Sequence, residues 1–233
     1  MTNDQRSRSP APSAAVPRLA VRAVIFDLDG VVVSTDEYHY QGWQRLADEE
    51  GIPFDRQINH RLRGVSRMES LEIILQRSPR RYTADQKAAL AARKNGYYRT
   101  LLETLTPTDI LPGAMAILGG LKSRGIKVAI GSSSRNTAMI LDRIGLAGYF
   151  DAVVDGNDIS RSKPDPEVFL LAAKRLGVPA SECLVVEDAA TGIAAAVSGG
   201  MKCLAVGAAA GDSRATRSVA DLTRISDSEI LAI

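Results

Sequence analysis

The sequence has only two cysteines, few aromatic residues and no long apolar run. Cys183 and Cys203 lie in apolar segments that resemble strands, so we interpret both as reduced core residues in a reducing compartment rather than as a disulfide. No run of about 18 apolar residues occurs, which excludes a transmembrane helix. Residues 1–17 lack the apolar segment of a secretory signal. We therefore predict that they form a disordered extension of a cytoplasmic protein.

The net charge is also small, since the sequence has 29 basic and 27 acidic residues. A nucleic-acid-binding surface needs a clustered basic excess, so we expect no nucleic-acid partner. We also predict a monomer that acts on small molecules and has no membrane partner. Walker-type and G-x-G-x-x-G loops are absent too, which removes both nucleotide-binding fingerprints. With 45% hydrophobic residues in 233, the chain can bury one good core and a smaller inserted domain.

Short apolar, β-prone segments alternate with helical patterns through most of the chain. The predicted strands are 21–27, 126–130, 152–154, 183–186 and 203–206. The predicted helices between them are 114–123, 136–144, 166–176 and 192–198. This alternation predicts an α/β fold with a Rossmann-like parallel sheet, whose chemistry gathers at the carboxyl ends of the strands.

One long segment after the first strand breaks the alternation, because its apolar and charged residues follow helical spacing throughout. The predicted helices there are 36–50, 55–62, 67–77 and 84–104. We predict a core domain of residues 18–34 and 106–233, with a helical cap domain of residues 35–105 inserted into it. An inserted domain beside an active-site strand can act as a lid.

The first strand ends in two aspartates, Asp27 and Asp29, separated by one residue and followed by Gly30. Because a strand alternates its side chains, the two carboxylates can leave the sheet on the same side. Their repulsion is tolerable only beside a cation or if one of them holds a proton. This pair favours metal-assisted covalent chemistry on an anion.

Polar residues also follow the second strand, in the segment Ser132 to Asn136 at the start of a predicted helix. Hydroxyls, backbone N–H groups and the helix dipole there can bind an anion. The alternative is that Ser134 or Asn136 only caps the helix.

Three further residues become candidates because of the groups expected near them. Lys163 alone would be an exposed surface residue, but near Asp27 it would offset carboxylate repulsion and bind a phosphate oxygen. Glu187 and Asp188 could start a helix, or could join Asp27 and the carbonyl of Asp29 in holding Mg²⁺. Which of the two acids would contact the metal stays open.

Together these segments resemble the four ordered motifs of the haloacid dehalogenase superfamily. The residues that carry the resemblance are 26–30, Ser132, Lys163 with Pro164, and Glu187 with Asp188. Dehalogenases proper lack the second aspartate, so the resemblance points to phosphoryl transfer.

The resemblance implies a mechanism. Asp27 would be the nucleophile that forms an aspartyl phosphate, and Asp29 the general acid and base. Ser132 and Lys163 would hold the transferring phosphoryl group. The implied ligands of one Mg²⁺ ion per chain are Asp27, Asp29, Glu187 and Asp188.

The cap segments are similar to those of the β-phosphoglucomutase family. They include Thr35 to His39 with Trp43, residues 62–67 and residues 92–95. The family interconverts β-D-glucose 1-phosphate and D-glucose 6-phosphate through β-glucose 1,6-bisphosphate, which also acts as activator. The substrate-binding residues implied in addition to those above are Thr35, His39, Gly64, Arg67, Lys94, Ser134, Arg135 and Asn136.

Within that set, Arg67, Ser134 and Asn136 would bind the second phosphate, while Thr35 and His39 would couple Asp29 to cap closure. In isolation, Arg67 and Lys94 are ordinary helix-surface residues, and His39 is either a helix-surface residue or a partly buried hydrogen-bonding residue. Trp43 we interpret as a core anchor.

Two other functions stay open. One is a sugar-phosphate phosphatase of the same superfamily, and the other is a catalytically dead phosphosugar-binding protein. The sequence also departs from the family pattern, with Arg63 in place of lysine, Ser34 in place of aspartate and Ala189 in place of serine. These changes leave the sugar specificity open.

Overall fold

The computed structural model describes residues 21–233, so the predicted disordered extension of residues 1–17 lies outside the described part. A parallel sheet of six strands has the order β3-β2-β1-β4-β5-β6. The strands are β1 (Ala23–Phe26), β2 (Lys127–Gly131), β3 (Ala152–Val154), β4 (Cys183–Glu187), β5 (Lys202–Ala205) and β6 (Arg217–Ser218). The predicted α/β class with a parallel sheet is confirmed.

The middle of the sheet sets the position of the site. Phe26, the last residue of β1, pairs with Ile130 on one side and Val186 on the other. The carboxyl ends of β1, β2 and β4 therefore lie level with one another. β6 was not predicted, because a two-residue edge strand that begins with Arg217 carries no apolar run.

Helices cover both faces of the sheet. They are α5 (Ala114–Ser123), α6 (Thr137–Arg143), α7 (Glu167–Leu176), α8 (Ala190–Ser198) and α9 (Asp227–Leu231). Ile117 of α5 and Ile140 of α6 belong to one buried cluster, while Phe169 of α7 and Ile193 of α8 belong to the other. Cys183 and Cys203 are buried and free, as predicted.

Between β1 and α5 the chain forms four helices, which we call the cap. They are α1 (Asp36–Glu50), α2 (Arg56–His60), α3 (Arg67–Leu75) and α4 (Ala84–Leu102). Ser66 and Thr83 begin α3 and α4 with capping boxes. Trp43 packs with Leu46 and Leu71 in a buried cluster of the cap's own, so its interpretation as a core anchor is confirmed. The domain boundaries at 34/35 and 105/106 stay a prediction.

Two chain segments connect the cap to the part of the protein that contains the sheet, which we call the sheet domain, and these segments lie next to each other. Val33 and Ile110 form an antiparallel bridge, and the N–H of Leu111 donates to the carbonyl of Val32 over 2.9 Å. The two connecting segments therefore run side by side, and the first of them begins only a few residues after Asp29. Among residues 21–233, no helix combines the length and apolar character needed to cross a membrane.

Candidate active site

A cavity of about 560 Å³ lies between the cap and the carboxyl ends of the strands. Its walls include Asp27, Asp29, Ser132, Lys163, Glu187 and Asp188 from the sheet domain, and His39, Gly64, Arg67 and Lys94 from the cap. Ser134, Arg135 and Asn136 line it as well. The structure thus brings the segments that sequence reasoning selected into one place.

Lys163 lines this cavity and contacts two of its carboxylates. Its Nζ lies 2.5 Å from Asp27 Oδ1 and 2.8 Å from Glu187 Oε2, and the residue is 1% exposed. Burial disfavours the ammonium form, but the two carboxylates outweigh burial and raise the pKa of Lys163 above its ordinary value. The alternative of an exposed surface lysine is wrong.

Glu187 has both carboxylate oxygens occupied by the protein. Oε2 accepts from Lys163, while Oε1 accepts from the backbone N–H groups of Asp188 and Ala189. The side chain also fills the space above Gly192, where a Cβ would lie 2.0 Å from Oε2. Helix α8 begins at Ala190, two residues before the predicted start at 192. Gly192 thus lies inside the helix, where the absence of a side chain leaves room for Glu187.

Asp188 has a different environment. Among residues 21–233 no donor hydrogen-bonds to its carboxylate, and burial, with Asp27 and Glu187 nearby, raises its pKa to about 8. It lies so close to Gly30 that a Cβ there would be 2.1 Å from Oδ2. Ligand atoms of Asp27, Glu187 and Asp188 lie within 4.8 Å of one another. An all-oxygen donor set of this kind fits Mg²⁺.

Asp29 is held by Thr35 at the point where the cap begins. The Thr35 N–H donates to Oδ1 over 2.7 Å, and its hydroxyl lies 2.6 and 2.8 Å from the two carboxylate oxygens. Burial raises the pKa of Asp29 to about 6, although the bonds from Thr35 act in the opposite direction. A carboxyl group with a pKa near the working pH suits general acid and base catalysis.

Tyr98 was not selected by sequence reasoning. Its hydroxyl lies 2.7 Å from Thr35 Oγ1, and its ring packs against His39 at 4.0 Å between centroids. The available signal was spacing, since Tyr98 follows Lys94 by one helical turn and so shares its face of α4.

His39 and Lys94 form a buried pair in the cap. Lys94 Nζ lies 2.9 Å from His39 Nδ1 and within 5 Å of the ring centroids of Trp43 and Tyr98. Burial lowers the pKa of both Lys94 and His39 well below their ordinary values. The alternative of a solvated helix lysine is wrong, because Lys94 is 1% exposed. His39 Nε2 lies 3.8 Å from Asp29 Oδ2.

The serine-rich turn after β2 does not cap α6 with a side chain. Asn136 occupies the N-cap position, but its side chain makes no capping bond. Its Nδ2 donates instead to Asn95 Oδ1 of the cap over 3.0 Å. Ser132 Oγ accepts from the N–H of Ser134, and Ser134 Oγ accepts from the N–H of Asn136. The alternative that the side chain of Ser134 or Asn136 caps α6 is therefore wrong.

Three arginines line the cavity, and one of them, Arg63, is paired with Asp36. The other two are Arg67 and Arg135. Arg67 is the first residue of α3, and within residues 21–233 it has no carboxylate or carbonyl partner. Burial and the nearby Arg135 lower the pKa of Arg67. Arg135 donates through Nε to the carbonyl of Gly156 over 3.1 Å. This region of the cavity is suited to a second anion.

Comparison with known proteins agrees with this geometry. The profile of the haloacid dehalogenase-like hydrolases matches residues 21–200. The chain belongs to this family. It is 46% identical over 189 residues to a β-phosphoglucomutase of Bacillus subtilis, which covers 80% of this chain and 84% of the relative. The resemblance to β-phosphoglucomutases is therefore confirmed.

Further similar proteins include a second β-phosphoglucomutase and two sugar-phosphate phosphatases. A crystal structure of β-phosphoglucomutase from Clostridium difficile matches with a TM-score of 0.87 and 37% identity, covering 91% of this chain and 96% of that one. A fructose-1-phosphate phosphatase of Escherichia coli is 34% identical, covering 76% of this chain and 92% of its own. A phosphorylated carbohydrates phosphatase of Thermotoga maritima is 32% identical, with 78% and 83% covered.

Mg²⁺ binding is expected to weaken strongly as the pH falls from 8 to 6. The pKa of Asp188 is raised to about 8, so below that pH a proton must leave before the carboxylate can bind a cation. We expect the dissociation constant for Mg²⁺, measured by calorimetry, to be at least about tenfold larger at pH 6 than at pH 8.

The variant Asp188→Asn provides the control, since it should bind Mg²⁺ poorly at both pH values. Equal affinity of the unaltered protein at pH 6 and pH 8 would contradict the assignment of Asp188 as a ligand.

Proposed function

We propose that the protein is a Mg²⁺-dependent phosphomutase that interconverts β-D-glucose 1-phosphate and D-glucose 6-phosphate through β-glucose 1,6-bisphosphate. The observation that carries this proposal is the presence of two cationic centres in one cavity. Lys163 lies beside Asp27, whereas Arg67 and Arg135 form a second centre without an anionic partner among residues 21–233. A phosphatase needs one phosphate site. A mutase needs two, because the bisphosphate must bind in either orientation.

In this proposal Asp27 attacks the phosphorus of the phosphate near Lys163 and becomes an aspartyl phosphate. Asp29 donates a proton to the leaving sugar oxygen, and in the reverse transfer it takes the proton of the attacking hydroxyl. Ser132 and Lys163 hold the oxygens of the transferring group.

The arrangement also supports an assignment of the metal ligands. Asp27, Asp188 and the carbonyl of Asp29 would hold Mg²⁺, which neutralises charge on the phosphoryl group when bound. Glu187 would act indirectly, because its oxygens already hold Lys163 and two backbone N–H groups. The Asp29 carboxylate is likewise engaged by Thr35. The proposed ligands are therefore fewer than the four acids that the family resemblance implied.

The second phosphate would lie between cap and sheet domain, near Arg67 and Arg135, with Ser134 and Asn136 from the turn after β2. Guanidinium groups bind phosphate through paired N–H donors. Closing the cap on this phosphate would exclude water from the aspartyl phosphate. Transfer to a sugar hydroxyl would then exceed hydrolysis.

A sugar-phosphate phosphatase is the second candidate, since the relatives from E. coli and T. maritima are phosphatases. The deciding experiment supplies Mg²⁺, β-glucose 1-phosphate and a trace of β-glucose 1,6-bisphosphate, and follows glucose 6-phosphate and free phosphate together. We expect glucose 6-phosphate to form far faster, and only from the β anomer. Phosphate release without isomerisation would identify a phosphatase, and no reaction with any sugar phosphate would indicate a binding protein.

A further inference from the structure

Three hydrogen bonds join residues 40–105 to the sheet domain in the described part of the chain. Two of them are long: Ser133 Oγ lies 3.5 Å from the carbonyl of Gly64, and Thr191 Oγ1 lies 3.5 Å from that of Arg63. The third joins two side chains, with Asn136 Nδ2 donating to Asn95 Oδ1 over 3.0 Å. It is the shortest of the three.

We propose that Asn95 is a positioning residue, which holds the Asn136 carboxamide towards the second phosphate and so favours transfer to sugar over transfer to water. The inference deepens the proposed function and rests on it. Asn95 lies on α4, next to the buried Lys94, and this is the one hydrogen bond that its side chain makes within residues 21–233.

Hydrogen-bond accounting gives the first reason. The carboxamide nitrogen of Asn136 carries two N–H groups, and Asn95 accepts one of them. In this pairing the nitrogen of Asn136 lies on the side of Asn95, and its second N–H remains for an anion in the cavity. The reverse pairing, in which Asn95 donates to the Asn136 oxygen, is disfavoured when an anion is bound, because the anion requires the N–H group. Without Asn95 the carboxamide is free to turn and present its oxygen, which repels a phosphate. Asn136 is 6% exposed and lines the cavity.

Charge gives the second reason. Arg67 of the cap and Arg135 of the sheet domain repel each other, and this repulsion contributes to the lowered pKa of Arg67. The repulsion opposes cap closure when no anion is bound, whereas a phosphate between the two guanidinium groups attracts both. The bond between Asn95 and Asn136 is neutral and acts in both situations. It therefore favours closure without competing with the anion for positive charge.

The test measures the ratio of glucose 6-phosphate formed to phosphate released, in Asn95→Ala, Asn136→Ala and the double variant. We expect Asn95→Ala to lower this ratio by about threefold to tenfold, the range of one hydrogen bond. Adding Asn95→Ala to Asn136→Ala should lower it no further. Thr100→Ala is the control, because Thr100 lies on the same helix, is exposed and bonds only to Gly96 within it.

An unchanged ratio in Asn95→Ala would overturn the inference. This includes the case in which both products fall by the same factor, because that result indicates general damage to the site. If the unaltered protein forms no glucose 6-phosphate, the proposed function fails, and calorimetric titration with glucose 6-phosphate then decides the inference. Non-additive losses of affinity in the two single variants support it, and additive losses refute it.

Discussion

Replacing Asp27 with asparagine is expected to abolish both isomerisation and phosphate release, lowering kcat by at least about 10⁴-fold. In the proposed mechanism both products depend on the same aspartyl phosphate, and an amide oxygen is too weak a nucleophile to form it. The measurement is a coupled assay for glucose 6-phosphate together with an assay for free phosphate. Loss of one activity without the other would contradict a shared intermediate.

The Asp27→Asn variant should fold, since Lys163 keeps its partner Glu187 at 2.8 Å. Its melting temperature and circular dichroism should resemble those of the unaltered protein. Asp48→Asn is a suitable control, because Asp48 is an exposed acid on α1 that bonds only to Gln44 of the same helix. That variant should keep full activity. A kcat for Asp27→Asn within tenfold of the unaltered enzyme would show that another residue is the nucleophile.

Replacing Lys163 with methionine should have the largest effect on stability. The side chain is 1% exposed and is the partner of two carboxylates that are themselves almost fully buried. Removing one partner of a buried ion pair costs about 3–5 kcal/mol of unfolding free energy, because the remaining charge is left unpaired. Urea unfolding in metal-free buffer measures this loss. Activity should fall as well, since the phosphoryl group loses its cation.

Arg22→Met is the matched control for Lys163→Met. Arg22 pairs with Glu182 at 2.8 Å, but half of its side chain is exposed. A surface ion pair of this kind contributes about 0–1 kcal/mol, so the control should unfold almost like the unaltered protein. If both variants lost the same small amount, the pair of Lys163 with Asp27 and Glu187 would not be the strong buried interaction that we infer.

The central part of the site could be predicted because it depends on local features of the chain. Asp27, Ser132 and Glu187 each follow or end a short apolar strand, and parallel strands bring their carboxyl ends to one edge. The position of Lys163 could not be derived in the same way. It became a candidate because a lysine near Asp27 would offset carboxylate repulsion, and the structure places it against Asp27.

Other features depend on distances between segments far apart in the sequence. Glu187 and Asp188 are adjacent acids, and only the contacts of Lys163 and of the following backbone N–H groups distinguish them. The bond of Asn136 to the cap likewise requires knowledge of where α4 lies. The spacing from Lys94 places Tyr98 on the same face of α4, but its bond to Thr35, and through Thr35 its link to Asp29, could not be derived from that spacing.

The pairing of Lys163 with Asp27 also has a consequence for biosynthesis. These residues are 136 positions apart in the chain, and Glu187 follows Lys163 by 24 more. Translation proceeds from the N-terminus at about 5–20 residues per second. Asp27, the nucleophile of the proposed mechanism, is therefore made several seconds before the residues that neutralise and orient it. In the proposed function, a nascent chain cannot consume sugar phosphates until β4 has left the ribosome and inserted beside β1.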